Sequence, residues 1–284
     1  MSEFIVNDNE CSIHITTDNC TPPKILVKLV DNIQNKNAGK NKSSDQDKNN
    51  QSSNNTKELI NKLKKETGCS SELCIIKSSK AKSVLGYDLV NKILDVYFKI
   101  EGPKNNIEKW LSNEDIDKTL KQWTHKFKHF YPIPFQMRDF EKKNTELAVL
   151  DFKKLYDDGY RYFGCIPNTD WSSGGGQHWF ALFFNFDTEP YTLEYFNSSG
   201  ELPLPEYNSW LNKTEEKLQN KFRKPVNKEI VTEIQNQYDN SSCGCYSLYY
   251  IYSRLNGIPM EWFRNNVVED EKMHDFRKFL FNTI

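Results

Sequence analysis

Four residues of this 284-residue chain combine into one piece of chemistry: His178, Asn197, Gln237 and Cys243. Cys243 opens the stretch "CGCYSLYYIYSRLNGIP", where Cys245, Leu248, Tyr249, Tyr252 and Leu255 follow helical spacing. Ser241 and Ser242 precede it as N-cap candidates, and Asn256-Gly257 with Pro259 beyond supplies a stop. A thiol in the first turn of such a helix meets the positive end of the macrodipole and unpaired backbone N–H groups, which favour the thiolate and lower its pKa. Gln237, six positions earlier in the same polar loop, offers its amide, together with the Cys243 N–H, to the oxyanion formed when a carbonyl is attacked. Asn240 is a rival donor. Gly244 has no side chain, so a substrate backbone can approach it closely.

A nucleophilic thiol needs a base, and the base needs a group to hold its ring. In "GGGQHWFALFFNFDTEPYTLEYFNSSG" the runs Trp179 to Phe186 and Tyr191 to Phe196 read as strands, with 187–190 as the turn. A two-residue hairpin centred on Asp187 and Thr188 puts His178 opposite Asn197, within hydrogen-bonding reach. By itself a histidine beside a tryptophan reads as ordinary packing, and Cys245 as a small core residue. With Cys243 and Gln237 the pair supplies the base and its holder, completing the parts of acyl transfer.

The elements that must position these groups are those of an α/β mixture. "YDLVNKILDVYF" places Leu89, Ile93 and Val96 on one helical face, and "SNEDIDKTLKQWTHKF" does so with Ile116, Leu120, Trp123 and Phe127. Ser112 with Asp115 resembles a capping box. "YNSWLNKTEEKLQNKF" reads as a charged surface helix and "KEIVTEI" as a third strand. Nearer the start, "PPKILVKLVDN" and "KELINKLKKE" read as short helices, while residues 33–57 are rich in Asn, Ser and Lys and read as a disordered insertion.

A net charge of −1 gives no basic footprint for nucleic acid, and no apolar run reaches the roughly 18 residues of a membrane span. Seven scattered cysteines behind no secretion signal imply a reducing compartment. The close pairs Cys69/Cys74 and Cys243/Cys245 do not form a zinc ladder, so no metal or cofactor is expected.

The order His-Trp, Asn, Gln-x5-Cys-Gly resembles the adenovirus-protease and ubiquitin-like-protease superfamily of cysteine peptidases. Within it the chain is most similar to the polyprotein-processing proteases of African swine fever virus type from large DNA viruses. "FGCIPNTDWSSGGGQHWFALF", "LEYFNSSG" and "DFRKFLF" also carry this likeness, which runs from about residue 60 onward. The resemblance implies His178 as base, Asn197 as its orienting partner, Gln237 as oxyanion donor and Cys243 as nucleophile. It implies an α+β, papain-like core of residues 84–284 with a central helix against a mixed sheet, behind a small, mostly helical N-terminal arm of residues 1–83. It further implies a viral core polyprotein cut after Gly-Gly, at host-cytoplasmic assembly sites and in the virion. Small residues at the cut suit a narrow channel flanked by Trp171 and Trp179. A ubiquitin-like-modifier deconjugating protease and an inactive scaffold are the alternatives. The sequence leaves oligomeric state open.

Overall fold

The computed structural model describes residues 4, 9–37, 52–103 and 108–282, and the chain divides into two compact units. Residues 8–100 form the smaller one, and residues 1–7 with 101–284 the larger.

The smaller unit is helical: α1 (Pro23–Asn37), α2 (Ser52–Thr67), α3 (Glu72–Lys77), α4 (Ser79–Leu85) and α5 (Tyr87–Tyr97). The boundary falls at 100/101 rather than 83/84, because α5 buries Val90 and Ile93 in the same core as Leu26, Leu29, Leu63 and Ile76. The helices α1 and α2 also enter the 33–57 stretch from both ends, with Ile33 and Thr56 buried; the rest of that stretch, 38–51, lies outside the described residues. Disulfides join Cys11 to Cys20 and Cys69 to Cys74, with Cα atoms 4.9 and 5.5 Å apart. The expectation of a wholly reduced cysteine set is therefore corrected: Cys165, Cys243 and Cys245 are the free thiols.

The larger unit resumes at Glu101, the second residue of β1 (Ile100–Glu101), and continues with α6 (Asn113–Trp123), whose predicted capping box between Ser112 and Asp115 is present. Its centre is a mixed five-stranded sheet, ordered β2 (Phe130–Pro132), β3 (Tyr162–Cys165), β4 (Ala181–Asn185), β5 (Tyr191–Phe196) and β6 (Val226–Val231). The β3–β4–β5 pairings are antiparallel and the two outer ones parallel. Every residue of β5 is buried because both faces of the sheet are covered. On one face Tyr191, Leu193 and Tyr195 share a core with the short α7 (Glu146–Val149), α8 (Phe152–Asp157) and α9 (Pro205–Phe222). On the other lies α10 (Cys243–Leu255): Phe196 stacks on Tyr250 at 4.4 Å, and buried Glu194 binds Tyr250 Oη at 2.7 Å.

Glu194 also takes two bonds from Arg254, at 2.7 and 2.8 Å, so its buried charge is paired across β5 and α10. The chain continues through α11 (Met260–Asn265) and α12 (Asp270–Leu280) to β7 (Phe281–Asn282). Phe4, from the start of the chain, lies in the larger unit and packs its ring on Tyr249, Phe276 and Phe279. Among the described residues no helix is long and apolar enough to cross a membrane.

Candidate active site

The β4–β5 connection is longer than a two-residue hairpin. Asn185 pairs with Thr192, since Pro190 has no N–H to give the ladder and stays in the loop. That shifts the register by two residues, and the paired segments end at Ala181 and Phe196, short of both His178 and Asn197. The side chains meet nevertheless, His178 Nε2 lying 2.7 Å from Asn197 Oδ1.

Asn197 is held so firmly that it fixes the imidazole tautomer. Its Nδ2 donates to Tyr195 Oη and to the Glu201 carbonyl, and its Oδ1 accepts from the Ser199 N–H and Oγ. Oδ1 is thus an acceptor only, so His178 Nε2 carries the proton and Nδ1 keeps a lone pair for a proton from elsewhere.

The chain ahead of His178 is folded around two buried polar side chains. Asn168 Oδ1 takes the N–H groups of Asp170 and Gln177, while the Asp170 carboxylate takes those of Trp171 and Gly176. Thr169 donates to the His178 carbonyl at 2.9 Å. Gly174 is packed so closely on Asp170 that a Cβ there would meet its Oδ2 at 2.1 Å. The Trp171 ring is met by the Arg138 guanidinium, 4.7 Å from its centre, and by the Lys142 ammonium, 5.0 Å from it. Its contacts thus anchor the glycine-rich loop.

Cys243 begins α10 with Ser242 as its N-cap, as the serine pair predicts, but Ser242 makes no side-chain cap to the helix. Its hydroxyl goes to Asp239, whose Oδ1 accepts the N–H groups of Ser241 and Ser242 at 3.0 and 2.9 Å. The thiol is 2 % exposed. Burial pushes its pKa up, and the opposing N–H groups of Trp179, Gly244 and Cys243 itself do not cancel this. The expectation of a depressed thiol pKa is corrected: desolvation of the thiolate outweighs the helix terminus. The Trp179 N–H reaching this sulfur brings the residue next to His178 up to Cys243.

Gln237 is buried, with its amide gripped at both ends. Oε1 accepts from Ser198 Oγ at 2.8 Å, and Nε2 donates to the carbonyl and Oδ1 of Asp239 at 3.0 and 3.1 Å. The rival Asn240 has an exposed side chain, and its carbonyl accepts from the Trp110 indole at 2.6 Å. Trp179 donates through its own indole to the Leu111 carbonyl at 3.1 Å. What lies against Gly244 is Leu111: a Cβ there would stand 3.2 Å from the Leu111 Cβ, so the missing side chain makes room for the protein itself. Cys245, two positions along α10, points about 200° away from Cys243, and burial pushes its thiol up to about 11. Among the described residues no group of His, Cys, Asp and Glu is arranged to hold a metal.

Sequence reasoning missed Asp239, Ser198 and Trp110. The first two are small polar residues in loops and carry no periodic signal, and Trp110 reads as one more apolar residue ahead of a helix.

A buried thiol at the start of a helix, reached by the N–H of the residue that follows an imidazole held through one ring nitrogen by an amide, is the arrangement of a cysteine peptidase. The comparisons place it more closely: the chain belongs to the family of the African swine fever virus SUMO-1 cysteine protease. That protease from the South African Pretoriuskop isolate is 37% identical over 299 residues, covering 99% of this chain and 98% of the viral protein. The homologue from the Kenyan isolate is 33% identical with the same coverage. A putative thiol protease of Acanthamoeba polyphaga mimivirus is 27% identical over 75% of this chain and 69% of its own. The crystal structure of the African swine fever virus protease superposes with a TM-score of 0.76 at 29% identity, over 99% of this chain and 98% of that one. No protein-family model matches.

Proposed function

We propose that this viral cysteine peptidase is an endopeptidase that cuts a structural polyprotein after Gly-Gly during virion maturation, with Cys243 as nucleophile, His178 as general base, Asn197 as the group that orients it and Gln237 as oxyanion donor. The tautomer fixed by Asn197 carries this reading, because it leaves Nδ1 to take the thiol proton. With its resting thiol favoured by burial, the proton moves as the sulfur attacks the scissile carbonyl. The electron pair passes to the carbonyl oxygen, where the Gln237 amide and the Cys243 N–H would stabilise the charge. His178 then protonates the leaving amine, and water, deprotonated by the same nitrogen, hydrolyses the thioester. A narrow channel flanked by Trp171 and Trp179 would give a preference for small residues at the cut; Trp179 is fixed there by its indole N–H on the Leu111 carbonyl.

Relatives whose names include SUMO-1 favour a second reading, removal of a ubiquitin-like modifier. Single-turnover cleavage of Gly-Gly-X and Ala-Ala-X peptides and of a ubiquitin-like fusion, by wild type and Cys243→Ala, separates the two. The expected result is Gly-Gly-X cleavage that vanishes in the variant. Cleavage confined to the fusion overturns the polyprotein reading; cleavage persisting in Cys243→Ala overturns the mechanism.

A further inference from the structure

The amide of Gln237 does not hold itself in place. Ser198, next in chain to the residue that grips His178, touches Gln237 and its neighbour three ways: its carbonyl accepts the N–H groups of Asn236 and Gln237 at 2.8 and 2.9 Å, and its hydroxyl donates to Oε1. From the opposite side, Nε2 donates to the Asp239 main-chain carbonyl and to Oδ1 of its carboxylate. The same carboxylate collects the N–H groups of Ser241 and Ser242 and the Ser242 hydroxyl, directly ahead of Cys243. Asp239 is fixed in turn, its N–H donating 3.0 Å to Asp270 Oδ2 at the first position of α12.

We propose that Asp239 is a positioning residue of the peptidase reaction, its carboxylate setting the Gln237 amide and the Cys243 N–H in register on the oxyanion. This rests on the reading of Gln237 as the oxyanion donor and extends it. A primary amide has two N–H bonds and rotates freely about its last side-chain bond. The Ser198 hydroxyl selects which end is oxygen; the Asp239 carbonyl and Oδ1 hold the nitrogen end, and sharing one N–H bond between them leaves the other for the oxyanion. One carboxylate thereby governs both donors, one through Gln237 Nε2 and the other through the main chain of 241–242. Burial pushes the Asp239 carboxyl up, but the hydrogen bonds from Ser242, Ser241 and Gln237 outweigh it and hold it below its ordinary value, so it is ionised at neutral pH. The same charge opposes the Cys243 thiolate, raising the thiol. Holding the donors and activating the sulfur are therefore opposed demands on this residue.

That opposition gives the test a readout that loss of structure does not reproduce. Alkylation by iodoacetamide needs the thiolate but no oxyanion hole; peptide hydrolysis, and reversible inhibition by a peptide aldehyde that forms a tetrahedral hemithioacetal, need both. Asp239→Ala is expected to lower kcat by about 10- to 100-fold, less than the ~10²–10³ lost with a whole oxyanion donor. KM should change little, aldehyde affinity should fall in parallel, and Cys243 should alkylate as fast as in wild type or faster. Asp239→Asn keeps an acceptor oxygen for the three N–H groups and is expected to recover most of kcat. Ser198→Ala reads the other grip on the same amide should Asp239→Ala fail to fold, with the same split between hydrolysis and alkylation expected. Hydrolysis and alkylation falling together in the soluble variants overturns the proposal, as does wild-type kcat in Asp239→Ala. Gln237→Ala separates the two levels: if it loses hydrolysis while Asp239→Ala does not, only the positioning role falls. If Gln237→Ala hydrolyses normally, the donor reading falls and the proposal with it.

Discussion

Replacing Asn197 by alanine tests the central step of the chemistry. The substitution removes the acceptor 2.7 Å from His178 Nε2 and leaves the Ser199 N–H and hydroxyl, the Tyr195 hydroxyl and the Glu201 carbonyl without their Asn197 partner. In the transition state the ring is an imidazolium, so the bond lost is one to a charged donor, worth about 1.5–3 kcal/mol. At 1.36 kcal/mol per tenfold in rate, that loss is about 10- to 150-fold in kcat/KM. The fall should lie in kcat, because the ground-state imidazole needs the bond less than the imidazolium does. Asn197→Asp keeps an acceptor oxygen toward Nε2 and should retain activity within about tenfold of wild type, on the same conversion. The assay is steady-state hydrolysis of a Gly-Gly peptide, with near-ultraviolet circular dichroism to show that the core is intact. Asn197→Ala within twofold of wild type would refute the argument that this amide fixes the tautomer.

Three further outcomes follow from the packing. Alkylation of Cys243 by iodoacetamide tracks the thiolate, so a thiol raised by burial should keep gaining rate with pH beyond the ordinary midpoint of about 8.5; a plateau below pH 7, with the residue identified by mass, would sink this. Gly174→Ala must displace the Asp170 carboxylate, and a shift of the loop before His178 should cost about 10- to 100-fold in kcat. Gly175→Ala, with nothing within 4 Å of its new Cβ, is the control expected to stay within about twofold, on the same argument. Arg254→Ala leaves buried Glu194 without its ion-pair partner and should destabilise the fold by about 3–5 kcal/mol in urea unfolding; a loss under about 1 kcal/mol would show that the pair is not a buried contact in solution.

How far the site could be read in advance depended on which signals are periodic. The central helix was legible because its apolar spacing, serine start and Asn-Gly stop agree, and β5 because its run is bounded by Pro190 and Asn197. The strands β2 and β3 were not, since three or four apolar residues without alternation read equally well as loop. The hairpin register slipped by two through Pro190, yet His178 still met Asn197, because the contact is made by side chains just outside the paired strands. The direction of the Cys243 pKa was misjudged because a helix terminus is visible in sequence and burial is not. Residues 33–37 and 52–57 joined helices despite their polarity, because Asn, Lys and Ser each disfavour a helix by only about 0.7 kcal/mol or less. The disulfides escaped for a different reason, as pairing depends on Cα separations that spacing alone does not give.

The ring of Phe4, lodged among Tyr249, Phe276 and Phe279, changes what a deletion means. Phe4 belongs to the larger unit, residues 8–100 form the smaller one, and the larger unit resumes at Glu101, so the helical unit is inserted between two parts of the larger one. Cutting the gene at codon 100 would therefore remove two things at once, the inserted unit and an aromatic plug on the helix that bears Cys243. A shortened enzyme that loses activity could not be attributed to either. The informative excision keeps residues 1–7 and joins them to 101 through a flexible linker, so that the plug stays and only the insertion goes.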